Sequence, residues 1–290
     1  MSIKNVSFIG LGVMGYPMAG HLQNNGYDVV VFNRTTARAE KWVEEYKGSM
    51  AKTPGEASQN SEIVFICVGQ DEDIIEVMET ESGILSKVAE GTIIVDHTTA
   101  SAEIARNYYQ KLKDKKLSFL DAPVSGGQAG AENGVLSIMI GGDEKDYNTV
   151  KPVLTSYGKA VELIGPSGSG QIAKMINQIC IAGLVQGLSE AMAFGKKSNV
   201  DMEKVLSVIS KGAAQSWQME NRYRTMLDGK FDYGFAVDWM RKDLSICFNE
   251  ANKNGAMLPV TKIVDQYYEE VQKNGGNRFD TSSLMTLVDK

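Results

Sequence analysis

Six residues near the start of the chain constrain its fold more than any others. Gly10-Leu11-Gly12-Val13-Met14-Gly15 follows the apolar run Val6–Ile9 and precedes a helical-looking stretch over residues 16–25. Strand before and helix after make this a G-x-G-x-x-G phosphate-binding turn rather than a stray glycine cluster. Gly10 permits the tight turn, Gly12 lets the backbone approach a pyrophosphate, and Gly15 allows helix and strand to close on each other. The helix that starts there aims unpaired N–H groups and a partial positive charge at the phosphates. Gly10, Leu11, Gly12, Val13, Met14 and Gly15 are therefore read as cofactor-binding, and the chain as binding a dinucleotide.

The residues that follow predict an α/β fold, a doubly wound sheet of Rossmann type. Val6–Ile9, Val29–Asn33, Ile63–Val68, Ile93–Asp96, Phe119–Asp121 and Val135–Ile140 read as strands, separated by amphipathic helical stretches. Short buried strands alternating with helices argue for a parallel sheet covered on both faces. Most of these runs end in Gly, Asn, Asp or Thr, and ligands of such sheets lie off the carboxyl ends of the strands. The character changes at Gly165-Pro166-Ser167-Gly168-Ser169-Gly170, after which helical periodicity takes over. Residues 1–163 are expected to form the nucleotide domain and 164–290 an all-helical substrate and oligomerisation domain, joined by a long helix over about 171–197.

At 290 residues the chain has length for two domains. A net charge of −6 gives no general basic surface, against nucleic-acid binding. Cys67, Cys180 and Cys247 show no C-x-x-C spacing and read as buried small hydrophobes of a reduced compartment. No His/Asp/Glu cluster has metal-ligand spacing, so no metal is expected. The N-terminus lacks a leader pattern. The apolar run 179–193 is broken by Gln186, Ser189 and Glu190, so no membrane span is expected and the location is read as cytoplasmic.

Three further constellations suggest chemistry. At the end of the second strand, Asn33-Arg34-Thr35 lies 23 residues after Gly10, where NAD-preferring folds usually carry Asp or Glu for the ribose hydroxyls. Asn33 removes the repulsion a carboxylate would exert on a 2′-phosphate, while Arg34 can pair with it and Thr35 can donate a hydroxyl. NADP(H) is therefore expected, with NAD(H) possible as the alternative. In Asp121-Ala122-Pro123-Val124-Ser125-Gly126-Gly127, the Ser125 hydroxyl and the Gly126 and Gly127 N–H groups can hold a carboxylate. In Gly168-x-Gly170-x-x-x-Lys174-x-x-Asn177, Lys174 and Asn177 fall one turn apart on an otherwise apolar helix. Lys242-Asp243 brings another cation into the helical half.

Together these elements resemble, in order and spacing over essentially the whole chain, the β-hydroxyacid dehydrogenase family of 3-hydroxyisobutyrate dehydrogenase and tartronate semialdehyde reductase. The resemblance implies hydride transfer between NADP(H) and a small carboxylate substrate, with Lys174 and Asn177 catalytic. It implies that Ser125, Gly126 and Gly127 hold the substrate, that Lys242 closes over the nicotinamide, and that Val68 and Thr99 touch the cofactor. Homodimers or homotetramers are common in that family. Phe235, seven residues before Lys242, is admitted to the substrate pocket, with Ala129, Gln178 and Ser216 shaping it; the other aromatics Trp217, Tyr223, Phe231, Tyr233 and Trp239 are read as core. His21 and His97 read as structural. Asp96-His97-Thr98-Thr99-Ala100-Ser101 lacks the Ser-Thr and Ser-Pro pairs frequent in the family, and Asn33 departs from the aspartate of its NAD-linked members. The rival readings are an NAD-linked 3-hydroxyisobutyrate dehydrogenase and an inactive NADP-binding scaffold.

Overall fold

The computed structural model describes residues 3–289, and the chain divides between Lys174 and Met175 into two compact units. The first unit alternates strands and helices. It runs β1 (Asn5–Ile9), α1 (Gly15–Asn24), β2 (Asp28–Phe32), α2 (Thr36–Tyr46), β3 (Ser49–Met50), α3 (Pro54–Ser58), β4 (Ile63–Ile66) and α4 (Asp71–Glu79). Then come β5 (Ile93–Asp96), α5 (Ala102–Lys113), β6 (Ser118–Asp121), β7 (Val124–Ser125), α6 (Gly127–Glu132), β8 (Leu136–Gly141), α7 (Glu144–Leu154) and β9 (Gly158–Gly165).

The strands form one sheet in the order β3-β2-β1-β4-β5-β6-β8-β7, with β9 on β8. Pairing is parallel from β3 through β6 and antiparallel where β8 meets β6 and β7. The order reverses at β1, between β2 and β4, which is the switch point where doubly wound sheets bind ligands. Alternate residues serve opposite faces of the sheet. Val6, Phe8, Ile63 and Phe65 pack with α1 and α2 residues such as Met18, Leu22 and Trp42. Ile9, Val64, Ile66 and Ile94 pack on the other side with Ile74, Ile104 and Tyr108 of α4 and α5. Full burial of each such side chain favours folding by about 1.5–3 kcal/mol, so both faces are closed by helices, as the apolar strand pattern predicts.

Differences from the sequence reading are local. β2 ends at Phe32 and β4 at Ile66, leaving Asn33, Cys67 and Val68 as the first loop residues beyond the sheet. β3, β7 and β9 were not anticipated. The first two hold two residues each and carry no periodicity, and the edge strand β9 has a single buried residue, Val161.

The second unit is helical. It comprises most of α8 (Ser169–Lys197), then α9 (Met202–Ile209), α10 (Trp217–Leu227), α11 (Val237–Asn254), α12 (Pro259–Lys273) and α13 (Met285–Val288). Ala182 and Val185 of α8 meet Val237, Met240 and Leu244 of α11 and Val264 and Tyr268 of α12. Leu188 and Met192 meet α9 and α10 through Leu206, Met219 and Met226. By length and composition alone α8 could cross a membrane, a test that the core helix of a soluble protein also passes. Two of the polar residues that interrupt its apolar run sit inside the unit: Ser189 donates to the Val185 carbonyl and Gln186 to Glu190.

The buried Asp280 carboxylate ties this unit together. It accepts N–H bonds from Phe235 at 3.0 Å and Ser282 at 3.0 Å, and pairs with Arg222 Nε at 3.2 Å. The Arg222 guanidinium lies between the rings of Trp217 and Tyr233, 4.9 and 5.0 Å from their centroids. Phe231 is core, but Trp217 and Trp239 are exposed, correcting their assignment: Trp217 covers the Arg222 cation instead of filling a core. Cys180 is likewise exposed and Cys67 half-buried, leaving Cys247 as the buried one of the three.

Candidate active site

The turn from β1 to α1 shows why its glycines are needed. Gly10 has φ +97°, and a Cβ there would overlap the Cys67 carbonyl oxygen. A Cβ on Gly15 would overlap the Gly10 carbonyl and come within 2.9 Å of the Phe8 ring. At Gly12 a Cβ would meet nothing, so the backbone is open to a ligand there. α1 has no side-chain cap and no acid in its first turn, which leaves its positive end available to phosphate. These residues fit a dinucleotide pyrophosphate.

Asn33 buttresses this turn. Its Oδ1 accepts the Leu11 N–H at 2.9 Å and its amide donates to the Thr35 carbonyl at 3.0 Å. Thr35 stands at the N-cap of α2 without capping it through its side chain. Arg34 is 77% exposed and pairs with Glu76 at 3.3 Å and Asp73 at 3.5 Å, two α4 acids that sequence spacing could not bring to it.

The carboxyl ends of β4, β5 and β6 are joined to the start of α8 by a chain of hydrogen bonds. Val68 N–H donates to the Thr98 hydroxyl at 3.1 Å. The Gln171 amide donates to the Thr98 carbonyl at 2.8 Å and accepts the Ala100 N–H at 3.1 Å, so it brackets Thr99. The buried Asp121 carboxylate accepts N–H groups of Gly168 at 2.7 Å and Gln171 at 2.9 Å, satisfying helix-start donors that would otherwise be orphaned. Burial pushes the Asp121 carboxyl above its ordinary range, opposed by these backbone donors. Gly170 is required because a Cβ would overlap the Met139 carbonyl and approach the Asp121 carbonyl to 2.7 Å. Lys174, one turn further along α8, is 8% exposed. Asp121 and Gln171 were missed as site residues; the signal for Asp121 was an acid ending an apolar strand.

The carboxylate-loop residues also have a defined frame. Ser125 pairs with Ser137 across the β7–β8 ladder, and Gly126 and Gly127 follow with φ +135° and +61° at the start of α6. Beside β5, Asp96 and His97 are both buried. Burial raises Asp96 to about 7, opposed by hydrogen bonds from Thr98. Burial lowers His97 to about 4; its ring stacks on Phe65 at 5.7 Å and bonds the Ala122 carbonyl and the Tyr157 hydroxyl. His21 bonds the Ala131 and Glu132 carbonyls. Both histidines are occupied structurally.

In the helical unit, Asn177 donates to Gln178 at 2.7 Å, and Gln178 donates to Asp243 at 2.6 Å. Asp243 is buried and pairs with Lys242 at 3.1 Å. Lys242 also lies 5.8 Å from the Trp239 ring centroid. Thus Asn177, Gln178, Asp243 and Lys242 form one polar path between α8 and α11. Phe235 packs against the α8–α11–α12 core, and Ser216 caps α10 by accepting the Met219 N–H.

A Rossmann unit with a glycine phosphate turn at its switch point and a buried lysine at its end, followed by a helical unit with buried amide and carboxylate groups, defines a nicotinamide dinucleotide-dependent dehydrogenase. Residues 5–165 match the NAD-binding domain of 6-phosphogluconate dehydrogenase, and residues 168–288 match the NAD-binding domain of NADP-dependent 3-hydroxyisobutyrate dehydrogenase. The chain is 58% identical over 99% of both lengths to an uncharacterised oxidoreductase of Shewanella frigidimarina. It is 32% identical to 2-hydroxy-3-oxopropionate reductase of Escherichia coli, covering 98% of this chain and 97% of that one. The crystal structure of 3-hydroxyisobutyrate dehydrogenase from Salmonella typhimurium superposes with a TM-score of 0.87 at 25% identity, over 98% and 99% of the two chains. The chain belongs to the β-hydroxyacid dehydrogenase family and is an NAD(P)-dependent enzyme of that family.

The neighbours Asp96 and His97 titrate in opposite senses. Asp96, raised to about 7, holds a proton in the folded chain that the unfolded chain has released, so its contribution to stability is lost as pH rises towards 7. His97, lowered to about 4, is neutral when folded and charged when unfolded below its ordinary value, so its contribution is lost as pH falls. Between about pH 4 and 6.5 the two slopes oppose each other. Asp96→Asn is expected to make the slope of unfolding free energy against pH more positive by up to ~1.4 kcal/mol per unit in that window. Urea unfolding at several pH values measures it; parallel profiles for variant and wild type would show that Asp96 does not titrate there.

Proposed function

We propose that the enzyme transfers hydride between NADP(H) and a small β-hydroxyacid or semialdehyde, with Lys174 as general acid and base. The observation that carries this reading is the anchored start of α8, which sets a buried lysine one turn beyond a glycine pinned on the sheet. A bound nicotinamide supplies or accepts the hydride. During reduction the Lys174 ammonium polarises the substrate carbonyl and protonates the developing alkoxide; during oxidation its amine takes that proton. Asn177 orients the substrate oxygen, and Ser125, Gly126 and Gly127 hold the carboxylate, which turns an encounter into a positioned reaction. Gly10–Gly15 hold the pyrophosphate, Val68 and Thr99 flank the cofactor, and by the family resemblance Lys242 has a cofactor role and Phe235 a substrate role. Lys174→Ala is expected to lose about 10²–10⁴ in kcat while its NADPH Kd, measured by fluorescence titration, stays near wild type. A fully active variant would require another proton donor.

The preference for NADP(H) rests on the absence of an acid at the end of β2 and on Arg34, Thr35 and an α2 first turn without acidic residues. The pairing of Arg34 with two acids is the observation that favours the NAD-linked alternative. Substrate is expected among 2-hydroxy-3-oxopropionate, glyoxylate, succinic semialdehyde and methylmalonate semialdehyde. One panel of these four with NADPH and NADH tests the reading: turnover of at least one with NADPH is expected. Tight NADPH binding without turnover of any would favour the inactive scaffold, and equal kcat/KM with both cofactors would remove the NADP preference.

We propose further that the chain forms a homodimer or homotetramer through α8. Ile176, Leu184 and Phe194 are exposed along this helix, and Cβ atoms at Gly183 and Gly187 would meet nothing. Each glycine costs the helix about 1 kcal/mol against alanine, a cost that close approach of a second copy offsets. Light scattering of Leu184→Asp/Phe194→Asp is expected to give a smaller species than wild type; an unchanged mass would place the interface elsewhere.

A further inference from the structure

We infer that Asp73 and Glu76 of α4 set the strength of cofactor discrimination by competing with a 2′-phosphate for Arg34. The inference rests on the reading that Arg34 receives that phosphate. Arg34 is the second residue after β2, beyond the carboxyl end of the strand where doubly wound folds place the adenosine ribose. Its Nη1 lies 3.3 Å from Glu76 Oε2 and 3.5 Å from Asp73 Oδ1. These acids are three residues apart on α4 and therefore share a face. Of the other two acids in the first turn of α4, Asp71 is taken by the Ser101 N–H and hydroxyl at 2.9 and 2.5 Å, and Glu72 is exposed. Asn33 is fixed by Leu11 and Thr35, so the loop cannot readily exchange Asn33 for Arg34 as the phosphate ligand.

The physical consequence differs for the two cofactors. A 2′-phosphate must take guanidinium N–H groups that now face carboxylates, and its own negative charge is repelled by the same two acids. A ribose diol carries no charge and needs no guanidinium, so it is nearly indifferent to them. Asp73 and Glu76 therefore narrow a preference that Arg34 creates. The pairs are exposed enough for salt to screen them, and their effect on NADP(H) binding diminishes with ionic strength.

Calorimetric titration of NADP⁺, NAD⁺ and 2′,5′-ADP into wild type, Asp73→Asn, Glu76→Gln, the double variant and Arg34→Ala separates the possibilities. Removing each acid is expected to tighten NADP⁺ and 2′,5′-ADP by about threefold at low salt, with less gain at high salt and NAD⁺ within twofold. Arg34→Ala is expected to weaken NADP⁺ and 2′,5′-ADP by about tenfold or more and to spare NAD⁺. An Arg34→Ala variant that binds NADP⁺ normally would overturn the underlying reading. If Arg34→Ala behaves as expected but the double variant leaves NADP⁺ unchanged, or shifts both cofactors equally, the inference on Asp73 and Glu76 fails alone. Weaker NADP⁺ binding by the double variant would also overturn it, because the acids would then position Arg34 for phosphate rather than withhold it.

Discussion

The position of the buried lysine depends on one carboxylate. Asp121 ends β6 inside the protein and takes two of the N–H groups that α8 cannot satisfy within itself. A negative charge at a helix start is also favoured by the helix dipole. Burial alone would drive the carboxyl towards its neutral form, and the backbone donors work against that shift. Close packing then removes the remaining freedom: a Cβ at Gly141 would come within 2.6 Å of this carboxylate, and Gly170 permits no side chain. The first turn of α8 is thereby registered on the sheet, and Lys174 inherits its height from that register rather than from a mobile loop.

Gln171 extends the same constraint sideways. By bonding on both sides of Thr99 it fixes the loop after β5 against the helix that carries Lys174. Thr98 passes the constraint on to Val68 after β4. Three strand ends and one helix start are therefore held by buried, mutually satisfied polar groups, the arrangement in which hydrogen bonds rigidify most. Preorganisation of this kind matters for general acid catalysis, because a proton donor displaced by an ångström loses much of its advantage.

The parts of this design legible in the sequence are those with local causes. Gly10 and Gly15 announce themselves because a tight turn and a strand–helix contact each exclude a Cβ. β1, β2, β4, β5 and β6 show because two covered faces demand continuous apolar runs. Lys174 stands out as a cation in an apolar helix. The rest depends on partners distant in sequence. Asp121 bonds groups 47 and 50 residues away, and Gln171 reaches back 71 and 73 residues; no spacing rule encodes such contacts. Trp217 and Trp239 misled for a related reason: an aromatic ring also serves a cation, and Arg222 and Lys242 supply the cations here. Asn33 was read for the charge it lacks, whereas its amide has structural work between Leu11 and Thr35.

The same partition of contacts bears on how specificity can vary. Arg34 pairs with both Asp73 and Glu76 in the nucleotide unit, while in the helical unit a chain of bonds runs from Asn177 through Gln178 and Asp243 to Lys242. Arg34 and Glu76 are exposed, whereas Gln178 and Asp243 are buried, and breaking an exposed ion pair costs far less than breaking a buried bonded one. Charge at the end of β2 can therefore be altered at little cost to stability. Asp121 and Gln171 stand at the other extreme: both are buried and bonded to backbone groups, so replacing either leaves buried donors or acceptors unmet.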